Sequence, residues 1–300
     1  MLGSLLLWAF VATVDPIVAG EIQIEEVSGV AFLPGDRLLV VADDPHPDPG
    51  PVVFLLENAA ERLKSGKVRK EDFKPVELSS EVKDLEDVAW DRQSSAFLVT
   101  SHSLNKDGQV KPKRSVISRL ALQDFKQEKL PELQIPAEFA EARKLKTADG
   151  GFNIEGAAWS RDGHLLLGLR APTDATTKES FLLEIEKPAS SPFTARVAAR
   201  LNLKGNGIRG MFYDPGAHGL WIVAGVSPDL PDGQVKDWAL WFRQDDGKLT
   251  QITTLPKEKT DTMINAEAVT RIEAGGASFL LVVEDGATVS HYLLFPVPQP

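Results

Sequence analysis

One short phrase recurs five times along this chain, and the recurrence restricts what it can fold into. The copies read Glu26-Val-Ser-Gly-Val-Ala-Phe32, Asp84-Leu-Glu-Asp-Val-Ala-Trp90, Asn153-Ile-Glu-Gly-Ala-Ala-Trp159, Gly207-Ile-Arg-Gly-Met-Phe-Tyr213 and Asn265-Ala-Glu-Ala-Val-Thr-Arg271. Their third residues, Ser28, Glu86, Glu155, Arg209 and Glu267, lie 54 to 69 residues apart. A unit recurring at such a spacing completes its core only against its neighbours, as solenoids and radial arrays do.

Each repeat has the same internal order. The phrase opens a strand, and a turn such as Pro34-Gly-Asp, Arg161-Asp-Gly-His, Asp214-Pro-Gly or Ala274-Gly-Gly reverses the chain, with residues suited to tight turns. A nearly all-apolar run follows: Leu38–Val41, Phe97–Val99, Leu165–Leu167, Trp221–Val223 or Phe279–Val283. Runs without polar alternation belong to strands covered on both faces. Weaker strands complete the repeats, as at Val52–Leu56 with Val76–Leu78 and at Phe181–Ile185 with Arg196–Leu203. Four strands per repeat around an axis make a β-propeller blade. The fold expected is all-β, a single propeller of five blades over residues 21–298, with a degenerate sixth blade as the alternative count. The last repeat offers a third strand at Tyr292–Val297 but no fourth. Glu21–Ile24, ahead of the first phrase, is expected to fill that place and close the ring. Helix-like composition at Ala137–Leu145 lengthens the second step.

Charge and composition remove several function classes. With 43 acidic against 33 scattered basic residues, net charge is −10, which argues against nucleic acid and anionic lipid as partners. The absence of cysteine excludes disulfides, zinc-thiolate sites and thiol nucleophiles. Residues 1–20 stand apart. The apolar run Leu5–Ala12 is too short to span a bilayer and reads as the core of a signal peptide cut near Ala19 or Gly20; the alternative is an N-terminal extension packed on the domain. The first reading implies a periplasmic or secreted protein, the second a cytoplasmic one. No other stretch could be a membrane span, and the chain is expected to act as a monomer.

The phrases also place the polar residues. An opening strand and the apolar strand after it run antiparallel, so the start of one lies beside the end of the other. Starts carry Ser28, Glu86, Glu155, Arg209 and Glu267; ends carry Asp43, Asp44, His102, Arg170, Gly225, Glu284 and Asp285. Repeated about an axis, they converge at one mouth of the central channel, beneath long Pro- and Gly-rich loops. Crowded carboxylates raise each other's pKa unless a cation compensates. Glu86, Glu155, Glu267 and Asp285 are the candidate ligands of a hard cation such as Ca²⁺. Arg170 and Arg209, with Asp43 and Asp44, are the candidate ligand-binding residues, and His102 is the candidate proton carrier. The competing reading makes the glutamates and arginines structural, as repeated residues in such arrays often are. Phe32, Trp90, Trp159 and Tyr213 share one column and are expected to pack between blades.

Gly151-Phe-Asn-Ile-Glu-Gly-Ala-Ala-Trp159 with Leu165-Leu-Leu-Gly-Leu-Arg-Ala-Pro172 resembles an uncharacterised bacterial β-propeller family known only as a domain of unknown function. Val27-Ser-Gly-Val with Val41-Ala-Asp-Asp44 is similar to the esterase-like phytase propellers. The second resemblance implies metal-assisted hydrolysis of a phosphoric or carboxylic ester. Beside it stand two non-catalytic readings: a propeller whose acidic-plus-arginine mouth binds a small anionic or cation-bridged ligand, and a protein-interaction scaffold. Gly205-Asn-Gly-Ile-Arg-Gly210 matches a dinucleotide fingerprint by letter, but a strand follows it instead of a helix, so no nucleotide cofactor is expected.

Overall fold

The computed structural model describes residues 15–43, 51–78, 82–174, 176–188, 193–227, 238–255 and 265–297. Blade one pairs β2 (Val27–Leu33), β3 (Arg37–Ala42), β4 (Val52–Glu57) and β6 (Phe73–Glu77) in that order, following β1 (Val18–Ile22) in the chain. A short helix, α1 (Ala59–Lys64), and β5 (Lys67–Val68) intervene between β4 and β6. Blade two holds β7 (Leu85–Trp90), β8 (Ser95–Thr100), β9 (Ile117–Ala121) and β10 (Gln127–Lys129). Blade three holds β11 (Asn153–Trp159), β12 (Leu165–Thr173), β13 (Ser180–Ile185) and β14 (Arg196–Leu201). Blade four holds β15 (Gly207–Asp214), β16 (Gly219–Gly225), β17 (Ala239–Gln244) and β18 (Leu249–Thr254). Blade five runs β19 (Ala266–Ala274), β20 (Ala277–Glu284), β21 (Ser290–Pro296), then β1 and β5.

The chain is thus a five-bladed β-propeller closed by its N-terminal strand. That strand is Val18–Ile22 rather than Glu21–Ile24; it pairs antiparallel with β21, Val18 opposite Leu294 and Ile22 opposite Ser290. The two-residue β5 adds to its free side in parallel, so an excursion from blade one clamps the closure. The segment expected to be helical forms two single 3-10 turns, Ala137–Phe139 and Ala142–Lys144. Phe139 from this segment packs on Phe152 and Phe181, so burial of one aromatic sets its path. Among the described residues no helix is long and apolar enough to cross a membrane.

The five phrases form the innermost strands β2, β7, β11, β15 and β19, and each packs on the next until β19 meets β2. Successive residues of the second strands serve different interfaces. Leu38 and Val40 join the core between blades five and one, while Leu39 and Val41 join the core between blades one and two. Both faces are buried, which is why these runs lack polar residues.

Every innermost strand carries a β-bulge at one and the same place. Pairing steps from Val27 to Gly29, Leu85 to Asp87, Ile154 to Gly156, Ile208 to Gly210 and Ala266 to Ala268 while the partner strand advances one residue. The extra residues are Ser28, Glu86, Glu155, Arg209 and Glu267. A bulge removes one step of alternation, so residues three apart occupy one face: Leu85 and Val88 share a core, as do Ile154 and Ala157 and Ile208 and Met211. The residue inside the bulge faces neither core.

Close approach at the axis follows. A Cβ on Gly210 would lie 2.0 Å from the carbonyl oxygen of Glu267 in the next blade. Gly210→Ala is therefore expected to cost about 1–3 kcal/mol of folding stability through overpacking; urea unfolding, with an unchanged midpoint counting against this tight blade contact, measures it.

Candidate functional site

The bulged residues meet at the mouth from which the innermost strands start. Backbone bonds stitch this rim from blade to blade: Glu26 N–H donates to Gly286 O (2.9 Å), Asp43 to Glu26 (3.0 Å), Asp84 to Asp43 (3.1 Å), Ser101 to Asp84 (3.1 Å) and Ile154 to Ser101 (2.8 Å). The rim puts Glu26 and Asp84 in left-handed backbone, with φ of 52° and 66°, a conformation that aspartate tolerates better than most side chains. Ser28, the one uncharged bulge residue, donates its hydroxyl to Leu85 O of the next blade (2.5 Å).

Two of the predicted glutamates are consumed by arginine. Arg209, 5% exposed, places Nη1 2.7 Å from Glu155 Oε2 and Nη2 against Glu267 Oε1, with its guanidinium 5.1 Å from the centre of the Trp238 ring. Arg170 Nη1 sits 2.8 Å from Glu155 Oε1, which also accepts from Asn153 Nδ2 at 2.7 Å. Arg170 reaches this carboxylate because it, too, is bulged, between the pairs Asn153–Ala171 and Ile154–Leu169. Burial pulls Arg209 down to about 10, opposed by Glu155, so it stays charged at neutral pH. Burial also works against Arg170, but Glu155 beside it, with Glu86 and Asp285, raises its pKa overall.

The carboxylates left over gather on the blade-one and blade-two side. Asp43, Asp84 and Glu86 each bring an oxygen within 4.8 Å of the others. Asp84 is held by Arg114 and by the hydroxyl of Ser101, and Arg114 donates to Ser103 Oγ as well (2.9 Å). Burial, then the charges of Glu155, Asp84 and Asp43, push Glu86 well above the carboxylate range. Burial and the neighbouring Asp84, which hydrogen-bonds Asp43, push Asp43 from its ordinary 3.8 up to about 8. Asp285 is raised by burial and Glu155 against the pull of Arg209 and Arg170. Asp44 lies outside the described residues.

The structure therefore brings Asp43, Glu86, Glu155, Glu267, Asp285, Arg170 and Arg209 to one mouth, but divides the four expected cation ligands. Glu155 and Glu267 are ion-paired, and Glu86 groups with Asp43 and Asp84. His102 takes part in neither group. Its Nδ1 is 2.8 Å from Thr100 O, and burial, with the charge of Arg143, lowers its pKa to about 4. Asp84 was not expected in the site, and Arg114 stands out in the sequence only as the end of the basic run Lys106, Lys111, Lys113, Arg114, which reads as a solvated loop or as an attractor of anions at the mouth. Asp84 was visible as the acidic first residue of its phrase; Arg114 is spent on Asp84, a carboxylate of the chain itself.

Below the mouth the axis is plugged by Asp87, which stands where other phrases carry Gly29, Gly156, Gly210 and Ala268. Innermost strands leave edge N–H groups facing the channel, and a buried amide without a partner is costly. Asp87 Oδ2 accepts from Ala157 N (2.6 Å) and Met211 N (3.4 Å), and Oδ1 from Val88 N (2.7 Å). Burial raises its pKa against these three N–H bonds. This carboxylate bridges three blades, the role considered above for the repeated glutamates.

No family model matches the sequence, and no curated protein matches it, so neither resemblance named above gains support beyond the propeller itself. Solved structures with a similar trace include TolB from Acinetobacter baumannii (10% identity over 90% of this chain, TM-score 0.44). The soluble aldose sugar dehydrogenase from Escherichia coli (14% over 95% of this chain and 100% of that one, TM-score 0.47) is another. A third is the β-propeller domain of Cps50 (Swd1) from Myceliophteria thermophila (10% over 91% of this chain and 98% of that one, TM-score 0.42). The chain spans 54% of the length of TolB. Likenesses at these identities carry no argument about activity; the propeller rests on the sheets and contacts of the chain itself.

Two predictions follow from the charge arrangement. Arg209→Met takes its guanidinium from Glu267 and one of two guanidiniums from Glu155, and is expected to cost roughly 3–5 kcal/mol at pH 7.5; urea unfolding measures it, and an unchanged midpoint would count against the buried ion-pair network. Asp43 holds a proton in the folded chain that the unfolded chain releases, so its contribution is full below about pH 4 and is lost as pH rises towards 8. Without divalent cations the melting temperature should fall between pH 5 and 8.5, and Asp43→Asn should flatten that fall; equal slopes would show that Asp43 titrates normally.

Proposed function

We propose that the acidic mouth is a binding site for a divalent cation, Ca²⁺ in the first instance, through which the propeller holds a small oxygen-rich ligand. The reading is carried by the Asp43–Asp84–Glu86 group: three carboxylates within 4.8 Å, with Glu86 only 8% exposed and no arginine at ion-pair distance from it among the described residues. A hard cation takes six to eight oxygens, and three carboxylates supply up to six. The guanidinium groups point to the same division of labour. Arg209, Arg170 and Arg114 are each already neutralised by Glu155, Glu267 or Asp84. An anionic ligand is then recruited through the cation, with the arginines serving as internal counter-ions.

Binding is favoured over ester hydrolysis because the proton carrier that hydrolysis would use is not at hand. His102 is turned to Thr100 and loses its charge well below neutrality. Protons held by Asp43 and Glu86 compete with the cation, so affinity should rise from pH 6 to 8.5 and binding should release protons.

Isothermal titration of CaCl₂ at pH 7.5 in two buffers of different ionisation enthalpy tests this. Saturable binding with proton release, weakened at least tenfold in Glu86→Gln, is the expected result. No heat and no rise in melting temperature at 10 mM Ca²⁺ would remove the proposal.

A further inference from the structure

The axis has a second mouth, and the acidic site does not use it. Where the innermost strands end, a cavity of about 320 Å³ opens on the far side of Asp87, walled by the ends of all five phrases. Its walls are mostly apolar: Phe32, Trp90, Trp159, Met211 and Phe212 contribute to it. The aromatic column does pack between blades, as Trp159 stacked on Phe97 shows (4.8 Å, 20° between planes), yet Phe32, Trp90, Trp159 and Phe212 remain half-buried at the cavity. A volume of this size suits a small organic molecule.

One cation lies across this opening. Arg92 sits in the β7–β8 turn in left-handed backbone (φ 61°), as Asp36 and His218 do in the turns of blades one and four (φ 57° and 54°). Asp91 holds the turn by accepting N–H bonds from Gln93, Ser94 and Ser95 at 2.8–3.0 Å. The side chain leaves blade two, donates from Nη2 to Trp159 O (2.6 Å) in blade three and Tyr213 O (3.2 Å) in blade four, and rests 4.9 Å from the centre of the Tyr213 ring.

Asp214, whose charge acts on Arg92 and which lines the same cavity with Glu273, is not its ion-pair partner. Arg271, on the same rim, is matched by Asp214 and Glu273, and the guanidiniums at the acidic mouth are all matched. Arg92 makes no ion pair among the described residues, although it is half-buried beside aromatic rings. Its carbonyl contacts occupy Nη2 alone, leaving the Nε and Nη1 hydrogens as donors for a charge-assisted bond to a carboxylate. From these observations we infer that the second mouth binds a small aromatic or otherwise apolar carboxylate. The apolar body fills the cavity against Trp90, Trp159 and Phe212, and the carboxylate takes the open side of the Arg92 guanidinium. Apolar walls strengthen that pairing by excluding water.

The test titrates the whole chain with naphthalene-2-carboxylate and with its neutral amide, naphthalene-2-carboxamide, by calorimetry in the presence of EDTA. The chelator separates the outcome from the cation reading, since neither result depends on a bound metal. Saturable one-to-one binding of the acid is expected, at least tenfold tighter than the amide. Arg92→Gln is expected to abolish that preference while leaving the affinity for the amide within about twofold. Because Arg92 also ties three blades together, the wild-type comparison of acid with amide stands by itself if the variant does not fold. Equal affinity for the two compounds, no saturation by either, or an Arg92→Gln protein that still prefers the acid would overturn the inference.

Discussion

One extra residue in each innermost strand decides where this propeller puts its polar chemistry. In a regular strand, side chains alternate between two faces, and in a blade covered on both sides both faces are apolar core. The bulges at Ser28, Glu86, Glu155, Arg209 and Glu267 release one side chain per blade from that alternation and direct it to the axis. The same bulges return the following residues to register, so Val88, Ala157 and Met211 still meet the cores begun by Leu85, Ile154 and Ile208. Site and core are thus specified by one backbone irregularity repeated five times.

The charges gathered in this way are unequal around the ring. On the blade-three to blade-five side, Arg209 and Arg170 are enclosed by Glu155 and Glu267, a network whose members are too buried to lose a partner cheaply. On the blade-one and blade-two side, Asp43, Asp84 and Glu86 face one another with Arg114 as the compensating charge at ion-pair distance. Asp87 then seals the axis beneath them by accepting amides from blades three and four. One mouth is left acidic, and the other is left aromatic with Arg92 at its edge. The two ends of the axis therefore differ in chemistry, one acidic and one aromatic.

Much of this was legible in the letters. The phrase fixed the blade count, the apolar runs named the second strands, and the antiparallel logic gathered Glu86, Glu155, Arg209 and Glu267 at one mouth. The bulge itself was also written in the sequence, as apolar residues three apart (Leu85 and Val88, Ile154 and Ala157) where simple alternation calls for two. What pattern cannot give is pairing. Which glutamate Arg209 takes depends on side-chain reach across blades, and that choice turned a presumed four-carboxylate cation site into an ion-pair network plus a separate trio. Asp84 joins the trio through a left-handed backbone set by the rim bonds, Arg114 meets it only after β7 and β8 have intervened, and Arg92 reaches carbonyls 67 and 121 residues away. The closing strand begins at Val18 rather than Glu21 because its partner is β21, a contact across nearly the whole chain.

Anomalous diffraction from crystals soaked in a lanthanide chloride is the most direct check on this arrangement, because it locates a bound ion and the five bulged side chains in one map. A single strong peak within coordination distance of Asp43, Asp84 and Glu86, with Arg209 still bridging Glu155 and Glu267, is expected. A peak ligated by Glu155 and Glu267 instead, or bulged side chains dispersed away from the axis, would contradict it.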